Sequence, residues 1–263
     1  MSKTKTSSDI HDFEGRTVGL MTTMYSSESP RLPLALKAMK GYREADIPAV
    51  AVDASPETEV IDRFREMGVI VLTAAELGVK PEALKLATAA VMGAKFIRRQ
   101  GGDRIIKHEP EKDMAQFKRP ISEALDNNDV VVVGRTPRAM WSLPTTQRQT
   151  ETTGGRLMQE YLDFPADALS GGRAYARQGT DELINYDMEK WGDNWMHLHI
   201  PVLEAKRKGI SVGGIQVDLE HPETMRAEEE GNIDFDKKRI MQLGLHAQLI
   251  DNYLREHPGT DSQ

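Results

Sequence analysis

Three carboxylates fall within five residues of the run His108, Glu109, Pro110, Glu111, Lys112, Asp113. In an extended chain Glu109 and Glu111 point to the same side, because strand side chains alternate. Two carboxylates on one side suit a hard divalent cation, Mg2+ or Mn2+. His221, placed before Pro222 at the end of another apolar run, can offer an imidazole to the same ion. The plainer alternatives are a solvated acidic loop and a surface histidine. The chain has no cysteine, so any metal site must be built from oxygen and imidazole.

Other residues carry weaker signals. Asp53 ends an apolar run and either accepts hydrogen bonds from a base or ribose or, with Ser55, caps the next helix. Lys80 and Lys85 flank the start of a long helical pattern, where a helix N-terminus attracts phosphate; otherwise they are solubilising surface lysines. Arg135, Arg138 and Arg148 lie in a segment rich in Thr, Arg and Gln and can clamp an anion. Gly171 and Gly172 permit close backbone approach to a ligand, or simply make a turn. Asp193, in Trp191-Gly192-Asp193-Asn194-Trp195, is either a general base beside an aromatic wall or a helix cap.

The elements that must position these residues alternate regularly. Strands are expected at residues 17–24, 49–53, 69–73, 104–107 and 129–134. Helices are expected after Arg31, after Ser55, from Pro81 to Arg99, and over Ile121 to Leu125. The run AVAVD is apolar up to Asp53, as suits a parallel strand covered on both faces. Alternation of this kind implies a mostly parallel, helix-flanked α/β sheet, with ligands at the carboxyl ends of the strands. Those ends include Thr22 and Thr23, Asp53, and His108 to Asp113. Beyond residue 134 a loop and helix, a Gly-Gly turn, a helix from the WGDNW segment, a strand ISVGGIQV and an amphipathic helix from Asp236 to His257 follow. The expected organisation is one domain over 15–257. Within it, 15–134 is the nucleotide-binding half, 135–235 the acceptor and metal half, and 236–257 a C-terminal helix. Tails at 1–14 (flexible) and 258–263 flank it.

The 263 residues are 39% hydrophobic and 29% charged, and the formal net charge is −7. An acidic balance argues against nucleic acid as a partner. No apolar run approaches the roughly 20 residues of a membrane span, and the first residues lack a signal-like apolar core. The expectation is a cytoplasmic protein, with self-association left open. P-loop, nucleophile-elbow and dinucleotide-fold glycine signatures are absent.

Taken in order, these segments resemble GT-A glycosyltransferases, particularly family-2-like members, over roughly residues 17–221. VAVDASPE resembles the segment whose aspartate contacts the nucleobase, and ELGVKPEALKLATAAVMGA resembles the family's next helix. DRIIKHEPEKD stands where the family has its strand and DxD metal motif, with Glu109-Pro110-Glu111 replacing DxD. DALSGGRAYAR resembles the acceptor-side Gly-Gly segment. WGDNWMHLHIPVLEAKRKG resembles the helix opening with a catalytic acid, with Gly192-Asp193 in place of the usual Glu-Asp pair. The resemblance implies a Rossmann-related GT-A-like fold, a UDP- or GDP-sugar donor, a divalent cation, Mn2+ or Mg2+, and an unidentified acceptor. It implies contacts to donor or sugar from Thr22, Thr23, Asp53, Lys80, Lys85, Arg135, Gly171 and Gly172, and Asp193 as base. Some retaining relatives, which glycosylate glycerate, add a late histidine to the metal, and His221 is placed to match. Two further readings stand beside transfer: a nucleotide-binding protein without turnover, and a sugar-phosphate nucleotidyltransferase. The second usually carries a basic glycine-rich loop after the first strand, which TTMYSSESPR does not supply.

Overall fold

The computed structural model describes residues 11–257 apart from residue 168. The elements run β1 (Thr17–Thr23), α1 (Leu32–Glu44), β2 (Ala49–Asp53), α2 (Thr58–Glu66), β3 (Ile70–Thr73), α3 (Leu86–Arg99), β4 (Arg104–His108), α4 (Lys118–Leu125) and β5 (Val130–Arg135). They continue α5 (Pro137–Met140), α6 (Thr145–Leu162), β6 (Gly172–Tyr175), α7 (Arg177–Ile184), α8 (Met188–Trp191), α9 (Ile200–Arg207), β7 (Val212–Val217), α10 (Glu223–Glu229) and α11 (Ile233–Glu256).

The described strands form one sheet in the order β3-β2-β1-β4-β6-β5-β7. Every pairing is parallel except those of β6, which runs against β4 and β5. The chain steps outward from β1 to β2 to β3, then α3 carries it back across the sheet to β4 on the other side of β1. That reversal opens a crevice at the carboxyl ends of β1 and β4, where ligands bind in such sheets.

Each central strand divides its side chains between two cores, as the strand period of two requires. Val18 and Leu20 of β1, Val50 and Val52 of β2, and Ile105 of β4 pack with α3 on one side. Met21, Ala51, Ile106 and Val131 pack with α1 and α2 residues on the other. A Cβ on Gly19 would lie 2.3 Å from the ring of Tyr42, which is wholly buried. This space admits Tyr42 against the sheet, where its hydroxyl meets His108 Nε2 at 2.7 Å and the two rings stack. A glycine in β1 thus sets the last residue of β4.

Four expectations change. Residues 11–14 are not all tail: Phe13 is buried and its N–H donates to Gln100 O at 2.9 Å; residues 1–10 and 258–263 lie outside the described residues. The helix expected from Pro81 to Arg99 is broken, since Leu84 and Lys85 leave helical geometry and only a 3-10 turn precedes α3. The WGDNW helix is also split, by Gly192 at φ +83° and by Pro201, which starts α9 afresh. The Gly-Gly segment does more than turn, for Gly172 opens β6, the reversed strand.

Gly19→Ala should push Tyr42 off the sheet and cost about 1–3 kcal/mol by overpacking. A urea midpoint equal to that of the parent protein would contradict this.

Candidate functional site

The carboxyl ends of β1 and β2 are tied by the carboxylate of Asp53. It accepts from the Thr23 hydroxyl, from Ser55 N at 2.8 Å and from Ser55 Oγ at 2.9 Å. Ser55 Oγ in turn accepts from Tyr25 N at 2.9 Å. Asp53 is buried, so the expected contact with base or ribose is corrected: its oxygens are spent pinning two strand ends and the loop after β1. That loop carries Tyr25 and Arg31 to the site.

Beyond Asp53, Thr22, Thr23, Met24, Val52, Ala54, Leu84, Lys85 and Leu86 surround a cavity of about 540 Å³. Its walls are mainly apolar, with polar threonines and one lysine at the edge. Lys85 lines the cavity from the cap position of α3. Lys80 is exposed and does not line this cavity; it precedes the 3-10 turn that replaced the first turn of the helix.

Asp193 also lines the cavity, but its expected role as a base is corrected. Its Oδ1 accepts from Ala87 N at 2.8 Å and Thr88 N at 3.0 Å, and its Oδ2 accepts from the Thr88 hydroxyl. It caps α3 from a distant segment, satisfying N–H groups that Lys85, the residue at the cap position, leaves open. Asn194 caps the 3-10 turn that follows.

At the end of β4 the chain turns sharply, Lys112 N donating to Glu109 O at 3.0 Å. The turn sends Glu109 and Glu111 to different partners. Glu109 pairs with Lys112 Nζ at 2.9 Å, and that ammonium also donates to Ser170 O. Glu109 is half exposed, and the Lys112 ammonium outweighs what desolvation it has and brings its pKa down to about 2. Gly171, at φ +76°, lies so near that a Cβ there would sit 2.9 Å from Glu109 Oε1. Glu109 and the Gly-Gly segment are therefore neighbours.

Glu111 is mostly buried. Burial raises its pKa first, the charge of Glu109 second, and these outweigh the Tyr25 hydroxyl and Arg31. Tyr25 is raised in turn by burial and then by Glu111. Arg31 Nη1 stands 3.8 Å from Glu111 Oε1, and its Nη2 stands 2.7 Å from Glu229 Oε1. The other oxygen of Glu229 is 2.9 Å from His221 Nε2. Glu111 and His221 thus approach one neighbourhood, but around a guanidinium and with Glu229 between them.

The expected metal set of Glu109, Glu111 and His221 is corrected accordingly, because Glu109 is held away by Lys112. Among the described residues no three acidic or imidazole groups are gathered to hold a metal ion. The donor types are right for a hard cation, but they are not gathered, and Arg31 pairs with both Glu111 and Glu229.

Arg135 is corrected as well. It is buried, with Nε 2.8 Å from Asp167 and Nη2 2.7 Å from Glu151, whose other oxygen pairs with Arg239 on α11. It locks β5 to α6 and is spent as an anion clamp. Arg138 pairs with Asp218 at 3.0 Å, and Arg148 lies over the Trp141 ring at 4.1 Å.

Several residues escaped the sequence. Lys107 is buried in the middle of the sheet, and burial lowers its pKa to about 8. Its register partner Arg173 is wholly buried, and its Nε donates to Leu198 O at 2.9 Å. His197 Nε2 and both nitrogens of His199 are buried without hydrogen-bond partners. A lysine in a strand that must be apolar on both faces was the one visible signal. Arg31 and Glu229 had none, since their meeting spans 198 residues.

The fold is GT-A-like, a single α/β domain on a mostly parallel seven-stranded sheet flanked by helices. The chain is similar to the crystal structure of Mycobacterium tuberculosis glucosyl-3-phosphoglycerate synthase, with 12% identity, TM-score 0.55, and coverage of 92% of this chain and 80% of that one. The same enzyme with Mn2+, uridine diphosphate and phosphoglyceric acid matches at 12% identity and TM-score 0.50, covering 89% and 79%. Its complex with Mn2+, UDP-glucose and phosphoglyceric acid also matches at 12% and 0.50, covering 89% and 80%. No sequence family and no curated protein matches the chain. No described helix is long and apolar enough to cross a membrane.

Two outcomes are expected. Asp193→Ala should lower stability by about 0.5–2 kcal/mol through loss of the α3 cap, whereas Asp193→Asn should lose less; equal urea midpoints for all three proteins would refute the capping role. Acid should also destabilise the fold. Burial holds His108 down to about 3 and His246 down to about 4, and lowers His197 and His199 too. Their unfolded forms protonate first, so their stabilisation is complete above about pH 6.5 and falls with pH, by up to about 1.4 kcal/mol per unit for each ring. Three carboxyls raised by burial act the opposite way, Glu151 (to about 7), Glu111 and Asp113, against four rings. A melting temperature that stays level or rises between about pH 6.5 and 5 would contradict this.

Proposed function

We propose that the protein is a glycosyltransferase that moves a sugar from a nucleotide-diphosphosugar, UDP- or GDP-linked, to an acceptor not yet identified. One observation carries this reading. At the carboxyl ends of β1 and β2, beside the start of α3, an apolar cavity edged by Thr22, Thr23 and Lys85 shares the sheet's carboxyl edge with a cluster of Glu109, Glu111, Arg31, Glu229 and His221. The similarity to a synthase solved with UDP-glucose, Mn2+ and phosphoglyceric acid supports it.

In this reading the flat cavity takes the base and ribose, and Lys85 meets a phosphate at the start of α3. Gly171 keeps the backbone low beside Glu109, leaving room for the sugar. Lys112 and Arg31 supply positive charge towards the departing diphosphate, where fixed charge lowers the barrier. A divalent cation, Mn2+ or Mg2+, when bound would neutralise further phosphate charge; the described acidic and imidazole side chains are not gathered around one point, so no ligand set is assigned to it. Asp193, committed to α3, is not assigned proton transfer. The location we propose is cytoplasmic.

That committed carboxylate favours one second reading, a protein that binds the nucleotide without turnover. The two separate in a donor assay with UDP- and GDP-sugars plus Mn2+, using phosphoglyceric acid among the trial acceptors. Transfer or donor hydrolysis is expected, with Glu111→Gln reducing it by about 10²-fold or more. Saturable nucleotide binding with no sugar released from any donor would overturn the transferase.

A further inference from the structure

A second cavity, of about 630 Å³, lies between α5, α6, the stretch 165–167 and β7, and it shares no lining residue with the cavity at β1 and β2. In the sheet, β4 and β6 stand between the two. Behind the second cavity the ion pairs of Arg135 are closed. Glu151 and Asp167 face Arg135 and Arg239, two carboxylates against two guanidiniums. That network is neutral, so the sign of the cavity is set by the two other charged residues that line it, Arg148 and Arg156. Neither has a carboxylate partner among the described residues. Two arginines left unpaired on one wall, in a chain of net charge −7, leave a place for an anion from outside.

The rest of the lining narrows the ligand. Trp141 is 66% exposed, and Arg148 stacks on it with Cζ 4.1 Å from the ring centroid. Stacking holds the guanidinium plane in place without neutralising it. The side-chain amides of Gln149, Gln159 and Gln216 make no hydrogen bond with another described residue. A primary amide both donates and accepts, as a sugar hydroxyl does, so three of them suit a ring that carries several hydroxyls. The indole and Met140 offer an apolar surface to the C–H face of such a ring. The volume falls in the range of small-molecule sites. We propose that this cavity is a second ligand site that takes an anionic sugar, with the ring against Trp141 and the phosphate or carboxylate on Arg148 or Arg156. The planar fork of arginine serves either anion. The two arginines stand two turns apart on α6, about 12 Å along the axis, so the charged group can be met at either end of the cavity. The site stands apart from the crevice and does not depend on sugar transfer there.

The test is isothermal titration calorimetry of the full chain with glucose 6-phosphate, glucuronate, glucose and inorganic phosphate. An anionic sugar should bind saturably and about 10-fold or more tightly than glucose or inorganic phosphate. The tighter of the two anionic sugars shows which charged group the arginines read. Arg148→Gln combined with Arg156→Gln should weaken that sugar by about 10-fold or more, and Trp141→Ala should weaken it several-fold. All three substitutions fall on side chains at the cavity surface, so melting temperatures should stay at the parental value, which separates loss of the site from loss of the fold. Excess UDP should leave the bound sugar in place. Four results would each overturn the proposal: no saturable binding of either anionic sugar, glucose binding as tightly, parental affinity after both arginine substitutions, or displacement by UDP. None of them bears on sugar release from a nucleotide donor, which is measured separately.

Discussion

β1 and β4 lie side by side, yet the chain reaches them from crossovers that leave in opposite directions. Loops after the two strands must therefore diverge, and Arg31, Glu109 and Glu111 are carried on those two loops. Nothing in the side chains has to create that opening. The side chains keep it from collapsing: Asp53 pins the β1 loop to β2, and Tyr42 braces the last residue of β4 from beneath.

Charge at this rim is handled by pairing rather than by exposure. Lys112 restrains Glu109, Arg31 restrains Glu111 and Glu229, and Arg135 joins Glu151 to Asp167. The pairs differ in consequence. Those around Arg135 are sealed and serve the joint between β5, α6 and α11. Those around Arg31 and Lys112 open to solvent on at least one partner, so a ligand of either sign can exchange with them.

The sequence made the sheet legible because each strand is a short apolar run closed by a polar residue, and each crossover helix has a periodic stripe. What it hid was choice of partner. Asp53 and Asp193 sit where ligand contacts belong, but a carboxylate beside free N–H groups satisfies them first. Glu109 and Glu111 looked like a pair by strand alternation, and the turn closed by Lys112 separated them. Arg31 and Glu229 are far apart in the chain, and no spacing rule joins them.

The single reversed strand has a consequence for how such a site changes. Every other strand ends at the rim, whereas β6 begins there, with Gly172, and finishes at Tyr175 on the far edge beside Val130 and Ile105. Residues downstream of β6 start roughly 10 Å from the chemistry, at about 3.3 Å per residue. The surroundings of Glu109 are therefore written upstream, in the stretch between α6 and β6. Length or sequence can drift there and reshape the space beside Glu109, while the hydrogen-bond ladder behind it stays in register.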